Sequence, residues 1–208
     1  RLTGNDGNDV LKGYDGDDTL SGGLGSNAVF GGLGDDTLST GGGGVIYGNE
    51  GSDVLTGSAV KDILYGDGVC CAPRDGGDDV IRARGGNDRV YSYWGNDRVH
   101  AGTGDDIITD ESGSDELFGG EGDDAIYPSE PMDGSVYDGG PGYNTFEMIT
   151  GSIPLAINLA RERMTSPALG VFRSFQDVTG TYLPDRMIGS DAAELFAGGF
   201  GNDVVKAG

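Results

Sequence analysis

The chain has few of the residues on which most catalytic and zinc sites depend. Its 208 residues include one histidine, one tryptophan and two cysteines. The single histidine, His100, excludes a His-Glu-x-x-His motif and a polyhistidine zinc site. A G-x-S-x-G nucleophile motif and a phosphate-binding glycine loop are also absent. We therefore expect this segment to have no enzymatic site.

The chain also lacks long apolar runs and cysteines that are separated in sequence, and it has few basic residues. The cysteines, Cys70 and Cys71, are adjacent and cannot link distant parts of the chain. No run approaches the roughly 20 apolar residues of a membrane-spanning helix. Only 13 basic residues oppose 35 acidic ones, which gives a net charge of -22. This charge repels phosphates and anionic membranes, so it argues against nucleic acid and favours cations as partners.

Glycine and aspartate are abundant instead. The chain has 42 glycines, and 27 of its 35 acidic residues are aspartate. Glycine loses more backbone freedom on ordering than any other residue, and aspartate suits turns better than helix interiors. The composition therefore excludes a predominantly helical protein.

A nine-residue period runs along most of the chain. Gly13–Ser21 reads GYDGDDTLS, Gly31–Ser39 reads GGLGDDTLS, Gly119–Tyr127 reads GGEGDDAIY and Gly198–Lys206 reads GGFGNDVVK. The shared pattern is G-G-x-G-x-D-x-U-x, in which U is a large apolar residue. Six units follow one another from Arg74 to Tyr127 without a break in spacing.

Each place in the unit has a physical role. Glycines at the first, second and fourth places permit positive φ, so six residues form a tight turn whose carbonyl oxygens point at a cation. The sixth place supplies a short carboxylate, and x-U-x forms a brief strand with U inward. The predicted inward residues are Leu11, Leu20, Val29, Leu38, Ile46, Leu55, Leu64, Ile81, Val90, Val99, Ile108, Leu117, Ile126, Phe146, Met187, Phe196 and Val205.

Two units make one coil, so alternate units are expected to stack into two parallel sheets. The two apolar side chains that each coil buries contribute little against the entropy of ordering eighteen residues. Stacked turns also bring carboxylates together, and a divalent cation reverses that repulsion. We therefore expect metal binding and folding to be inseparable.

These units resemble the RTX (repeats-in-toxin) calcium-binding nonapeptide family. The resemblance implies an all-β fold, a right-handed parallel β-roll (β-solenoid) of GGxGxDxUx nonapeptides with several calcium ions between its turns. It also implies that sixth-place aspartates and turn carbonyls hold each ion. The matching residues are Asp9, Asp18, Asp36, Asp53, Asp62, Asp79, Asp88, Asp97, Asp106, Asp115, Asp124, Asp185 and Asp203.

Some units depart from the family pattern. Other residues take the sixth place in four units: Asn27, Gly44, Asn144 and Glu194. Three consecutive units lack glycine at the first two places, which hold Arg74-Asp75, Ala83-Arg84 and Ser92-Tyr93. We therefore do not extend the ligand set to the four units without a sixth-place aspartate. The three consecutive units without the first two glycines must form their turns with other residues.

The interruptions predict the domain organisation. A main RTX block spans residues 1–146 and is interrupted at 66–73 and 128–138. A connector follows at 147–179, in which Pro154 marks an edge strand, and a short second block spans 180–208. Both termini fall inside the period, so we expect a segment of a longer array.

The expected function is a secreted or cell-surface calcium-binding module that folds on calcium binding, within a larger exported toxin, hydrolase or adhesin. The alternative is a structural element of a surface layer, an adhesive stalk or another calcium-dependent assembly. Phe30, Tyr47 and Tyr65 take the ninth place of alternate units and are expected to form a ladder on one outer face. Such a face would contact a protein partner or a second copy.

One region is both basic and aromatic. It is expected either to bind an acidic glycan or partner or to offset nearby carboxylates. Its residues are Arg82, Arg84, Arg89, Tyr91, Tyr93, Trp94, Arg98 and His100.

Overall fold

The computed structural model describes residues 1–68, 76–131, 134–148, 153–166 and 170–208. Within these ranges the chain consists of short strands joined by tight turns, and a single 3-10 turn, Leu159–Arg161, is its helical structure. Cys70 and Cys71 lie outside the described residues, as do parts of both predicted interruptions. The all-β fold that the resemblance implies is confirmed, and it agrees with the exclusion of a predominantly helical protein by the composition.

The strands form two sheets. The first has thirteen strands, in the spatial order β1 (Leu2–Thr3), β3 (Thr19–Ser21), β5 (Thr37–Ser39), β7 (Val54–Thr56), β9 (Val80–Gly85), β11 (Arg98–Thr103), β13 (Glu116–Glu121), β15 (Val136–Asp138), β19 (Gly170–Arg173), β18 (Arg163–Ser166), β17 (Ala156–Asn158), β21 (Arg186–Ile188) and β23 (Val204–Lys206). The second has ten, in the order β2 (Val10–Asp15), β4 (Asn27–Leu33), β6 (Gly44–Glu50), β8 (Asp62–Tyr65), β10 (Arg89–Tyr91), β12 (Ile107–Gly113), β14 (Ala125–Pro131), β16 (Thr145–Glu147), β20 (Asp177–Thr179) and β22 (Leu195–Ala197).

Up to β16, successive strands alternate between the two sheets, so each coil contributes one strand to each. Neighbouring strands pair in parallel at the spacing of the repeat: Leu20 pairs with Leu38, and Val90 with Ile108. The chain is thus a parallel β-solenoid of about ten turns. This architecture confirms the parallel β-roll that the nonapeptides predict.

The apolar residues of the repeats form one continuous core between the sheets. Of the predicted inward residues, all are buried except Phe196, which is partly buried, and Val205, which is 46% exposed in the last described coil. Tyr137 takes the inward place of β15 and packs against Phe146, with ring centroids 5.5 Å apart. A large aromatic cluster therefore fills the roll near the connector.

The connector adds strands to the thirteen-stranded sheet. β18 pairs antiparallel with both β17 and β19, whereas β17 also pairs in parallel with β21. The prediction of an edge strand at this point was wrong, because β17 has a hydrogen-bonded neighbour on each side. Pro154 lies two residues before β17, where its missing N–H interrupts no pairing.

The outer face of the ten-stranded sheet carries a ladder of aromatic rings. The centroids of Phe30, Tyr47, Tyr65 and Tyr91 are successively 4.9, 4.7 and 4.8 Å apart. The predicted ladder is confirmed and extends by one ring. Because the rings stack face to face, each covers its neighbour, and all four are only partly exposed.

The basic and aromatic region is divided by the fold. Arg82 and His100 are paired neighbours in the thirteen-stranded sheet, whereas Arg89 and Tyr91 belong to the ten-stranded sheet. Consecutive units enter opposite sheets, so residues that are close in sequence separate. The region therefore does not form one surface cluster, and Arg98 pairs with Glu116 at 3.2 Å, which agrees with the alternative that these residues offset nearby carboxylates.

Candidate metal centre

The turns of the roll stack along two edges. We call the turns that lead into the thirteen-stranded sheet the first edge, and those that lead into the ten-stranded sheet the second edge. The sixth-place aspartates lie at the ends of these turns, immediately before the strands, except Asp62, which is the first residue of β8. From Asp36 to Asp124, every one of the predicted aspartates is almost fully buried.

Backbone-to-carboxylate hydrogen bonds join successive coils along both edges. At eight places between Asp18 and Asp124, the N–H of one aspartate donates to Oδ1 of the aspartate on the next coil, at 2.7 to 2.9 Å. We call this row the inner ladder. It joins Asp18 to Asp36, Asp36 to Asp53, Asp53 to Asp79, Asp79 to Asp97 and Asp97 to Asp115 on the first edge, and Asp62 to Asp88, Asp88 to Asp106 and Asp106 to Asp124 on the second.

The other carboxylate oxygen of most of these aspartates has no protein partner. In the described part of the chain, nine of the thirteen predicted ligands bury an Oδ2 that makes no hydrogen bond: Asp9, Asp36, Asp53, Asp79, Asp88, Asp97, Asp106, Asp115 and Asp124. A buried carboxylate oxygen without a partner is costly. The residues therefore fit a cation bound along these rows.

The first glycine of the unit leaves the space in which these oxygens meet. A Cβ built on Gly31 would lie 2.2 Å from Oδ2 of Asp36 and 2.7 Å from the carbonyl oxygen of Gly48, on the next coil. Its backbone φ is not positive, whereas Gly32 and Gly34 have φ of 134° and 114°. The expectation of positive φ at all three glycines was therefore wrong for the first glycine. That residue must be glycine because a Cβ would collide with the carboxylate and the carbonyl oxygen.

Two units with asparagine at the sixth place show where the turn carbonyls point. Nδ2 of Asn27 donates to the carbonyl oxygens of Gly23, Gly25 and Thr40, at 3.2, 3.2 and 3.0 Å. Nδ2 of Asn144 likewise donates to two carbonyl oxygens, at 2.8 and 2.9 Å. An amide N–H₂ thus satisfies carbonyls that, in an aspartate unit, face a carboxylate oxygen. A bound cation, or a proton on the carboxylate, can stabilise that second arrangement.

The electrostatics of the rows agree with the geometry. Burial, and after it the charges of neighbouring carboxylates, raise the pKa of Asp53 to about 7, that of Asp79 to about 8 and that of Asp97 to about 10, although a backbone hydrogen bond acts in the opposite direction. The protein alone thus favours the protonated acids. Calcium, a hard cation that takes carboxylate and carbonyl oxygens, would hold the charged forms.

Two predicted ligands accept hydrogen bonds from the second residue of their own turn, although Oδ1 of Asp62 is buried without a partner. Oδ2 of Asp62 accepts hydrogen bonds from the N–H and Oγ of Ser58, at 2.7 and 2.9 Å. Asp185 accepts from the N–H of Thr181 and the N–H of Leu155, both at 2.6 Å. In both units a hydroxyl residue replaces the second glycine and donates to the sixth-place carboxylate.

Two further predicted ligands lie in the outermost described coils. Asp18 is partly exposed, and its Oδ1 lies 3.7 Å from the terminal ammonium of Arg1. Asp203 is also partly exposed, and its Oδ1 accepts from the N–H of Asp185 at 3.0 Å.

Two further aspartates, Asp67 and Asp110, are buried but are not among the predicted ligands. Asp67 follows Gly66, and a Cβ on Gly66 would lie 2.2 Å from Oδ2 of Asp79. Gly66 therefore takes the first place of that unit, which the unbroken spacing had assigned to Arg74, outside the described residues. Asp110 takes the first place of the Asp115 unit. For Asp110, the sequence signal is an acidic residue at a place where most units have glycine, in the segment DESGSD.

A second row of side chains joins the coils on the solvent side. Oδ1 of Asp105 accepts from the N–H of Asp123 at 3.0 Å, and Oδ1 of Asp17 accepts from the N–H of Asp35 at the same distance. We call this fifth-place row the outer ladder. Its donor lies on the later coil, whereas the donor of the inner ladder lies on the earlier one. Repeated Asp, Asn and Ser at the fifth place was the signal for it.

The turns that lack a second glycine keep the same backbone shape. Arg84 has φ of 80° and Tyr93 has φ of 74°, in the left-handed region that glycine occupies in other units. The coil spacing is therefore preserved through the middle of the roll, with some backbone strain at these two residues.

Comparisons with known proteins identify the repeat. Among the described residues, no helix is long and apolar enough to cross a membrane. A comparison with curated proteins finds no match. The family profile of the RTX calcium-binding nonapeptide repeat (4 copies) matches residues 3–38, 39–68, 75–108, 100–129 and 184–208. These ranges cover well over half of the chain, which therefore belongs to the RTX calcium-binding nonapeptide repeat family.

Proposed function

We propose that this chain is a secreted or cell-surface calcium-binding β-roll module that folds when it binds calcium, within a larger exported protein. The row of buried Oδ2 atoms without hydrogen-bond partners carries this proposal. In this proposal the module itself is not catalytic, and a toxin, hydrolase or adhesin activity belongs to the larger protein.

The proposed ligands are the thirteen sixth-place aspartates together with turn carbonyls. Nine of them have an unpartnered buried Oδ2 and Asp62 has an unpartnered buried Oδ1, and Asp18, Asp185 and Asp203 complete the set. All of these donors are oxygens, which favours a hard cation over zinc. Calcium tolerates irregular oxygen cages, whereas magnesium demands near-octahedral geometry and releases its water reluctantly.

Folding on calcium binding follows from the charge of the chain. A net charge of -22 and a modest apolar core favour an unfolded chain when no cation is bound. Affinities of extracellular-type calcium modules, on the order of 0.1 to 1 mM, suit calcium outside the cell better than the scarce calcium of the cytosol.

Far-UV circular dichroism with calorimetry tests this proposal. In excess chelator the chain should give a disordered spectrum, and millimolar calcium should produce a cooperative β signal with several ions bound. An equal concentration of magnesium should not. A β-sheet spectrum in chelator at neutral pH, unchanged by calcium, would contradict calcium-dependent folding.

The alternative, a calcium-dependent assembly element, is favoured by the outer face of the ten-stranded sheet. The aromatic ladder lies beside apolar Val45 and Ile63, which are neighbours on β6 and β8. Light scattering in calcium would detect a second copy on this face. Tyr47→Ser with Tyr65→Ser should then return the chain to monomer, whereas Thr56→Ser on the opposite sheet should not. A monomeric parent chain would remove this alternative.

A further inference from the structure

Asp110 places a third carboxylate in one turn of the first edge. In most units the first place is glycine, and the space beside it holds the sixth-place carboxylate. In the Asp115 unit the first place is an aspartate with no solvent exposure. Its side chain therefore lies where other units bring together one carboxylate and a carbonyl oxygen.

Three carboxylates converge there. Asp97, Asp110 and Asp115 each offer an oxygen, and these oxygens all lie within 4.8 Å of one another. All three residues are at least 98% buried. Elsewhere along the inner ladder, successive coils contribute two carboxylates to such a contact. This position therefore concentrates one more negative charge than the rest of the row.

The protein leaves part of each carboxylate unsatisfied. Oδ2 of Asp97, Asp110 and Asp115 accepts no hydrogen bond from another group within the described ranges, and the carboxyls of Asp110 and Asp115 lie close enough to each other to share a proton. Oδ1 of Asp110 accepts from Oγ of Ser92 at 2.8 Å, which fixes the orientation of the carboxylate. None of the ion pairs found among the described residues involves the three. Three fully buried oxygens thus share one small volume without a positive partner from the protein.

We propose that Asp97, Asp110 and Asp115 form a distinct cation site, the tightest calcium site among the described residues, with a preference for trivalent ions of similar size. The inference rests on the proposed calcium binding and adds Asp110 as a ligand outside the nonapeptide pattern. Ligand charge tunes calcium affinity in oxygen cages, and a third carboxylate in a buried site strengthens attraction to the ion.

Terbium(III) luminescence and calcium calorimetry on the whole chain test this site. Tyr137 has a buried phenol whose pKa is raised first by burial and then by the charges of Asp110 and Asp115, so it is near enough to act as the light-absorbing donor. One ion should bind about tenfold more tightly than the others. Asp110→Asn, which keeps the shape but removes the charge, should abolish that difference.

Two further variants separate the outcomes. Asp110→Gly restores the usual residue of the repeat and should bind its ion with ordinary affinity, in a chain that still folds. Glu121→Gln removes an exposed charge and should leave the tight site within about twofold. If Asp110→Asn keeps the tight site, Asp110 is a buried carboxylic acid that merely hydrogen-bonds within the roll, and the inference fails. If the parent chain binds no calcium at all, the proposed function fails instead.

Discussion

The N–H of Asp79 donates a hydrogen bond of 2.8 Å to Oδ1 of Asp97, one coil further along. This bond orients the Asp97 carboxylate and directs its free Oδ2 into the buried row. The same relationship recurs along both edges, so each coil orients the ligand of the next. Preorganised ligands lose less entropy on binding an ion than mobile ones do.

Replacing Asp106 by asparagine should remove about one bound calcium ion without unfolding the roll. Asp106→Asn keeps Oδ1 as the acceptor for the N–H of Asp88 and places an amide where Asn27 already has one. Calorimetry at saturating calcium measures the number of ions. The matched control is Asp105→Asn, which keeps its place in the outer ladder and should keep all ions. Equal losses in both variants would mean that the register of the ligands is wrong.

The reverse change, Asn27→Asp, should create about one new calcium site. The carboxylate would face the carbonyl oxygens of Gly23, Gly25 and Thr40, which the amide now satisfies. We expect the variant to need more calcium to fold, because unsatisfied buried groups cost about 1 to 3 kcal/mol. Asn8→Asp, in an exposed turn, is the control and should leave the ion number unchanged. If Asn27→Asp binds the same number of ions as the parent chain, the Asn27 amide does not take the place of a bound cation.

The chain without calcium should be more folded in acid than at neutral pH. Burial raises the pKa of Asp53 and Asp106 to about 7 and that of Asp79 to about 8, from an ordinary value of 3.8. A raised pKa in the folded state stabilises it fully below about pH 4, and this contribution is lost as the pH rises through about 7 to 8. Circular dichroism in chelator should therefore show β structure near pH 4 that disappears by about pH 8. Calcium should reverse this trend, since it binds the ionised carboxylates.

Glycine at position 84 should stabilise the calcium-loaded roll slightly. Arg84 is exposed and has φ of 80°, which costs a non-glycine residue about 1 to 2 kcal/mol. Because glycine also loses more entropy on folding, the net gain of Arg84→Gly should be about 0.5 to 1 kcal/mol. Urea unfolding at saturating calcium measures the free energy of unfolding. Ala83→Gly is the control: the residue is fully buried without positive φ, so this change should be destabilising.

The period of the sequence was enough to predict the coils, the alternation of sheets and nearly all of the core. Residues such as Leu38 and Ile108 could be placed inside because the nine-residue unit fixes which side chain points inward. The aromatic ladder followed from the same spacing. These features depend only on contacts between equivalent places of the repeat.

Features that depend on breaks in the period could not be predicted in the same way. The role of Gly66 was hidden because an insertion separates it from Asp79 in sequence but not in space. The antiparallel strand β18 belongs to a segment without the repeat, where no neighbouring unit indicates its partner. Asp110 was hidden for another reason, since the pattern treats its place as a turn glycine and assigns no ligand there.

The opposite directions of the inner and outer ladders bear on how three-residue strands find their partners. Strands as short as β3 and β5 carry too few side chains to fix their own alignment. A slip by one residue would set Asp17 and Asp18 against the wrong places of the next coil and would break both ladders at once. The hydrogen-bonded turns therefore set the register of successive coils, and the short strands adopt the alignment that the turns impose.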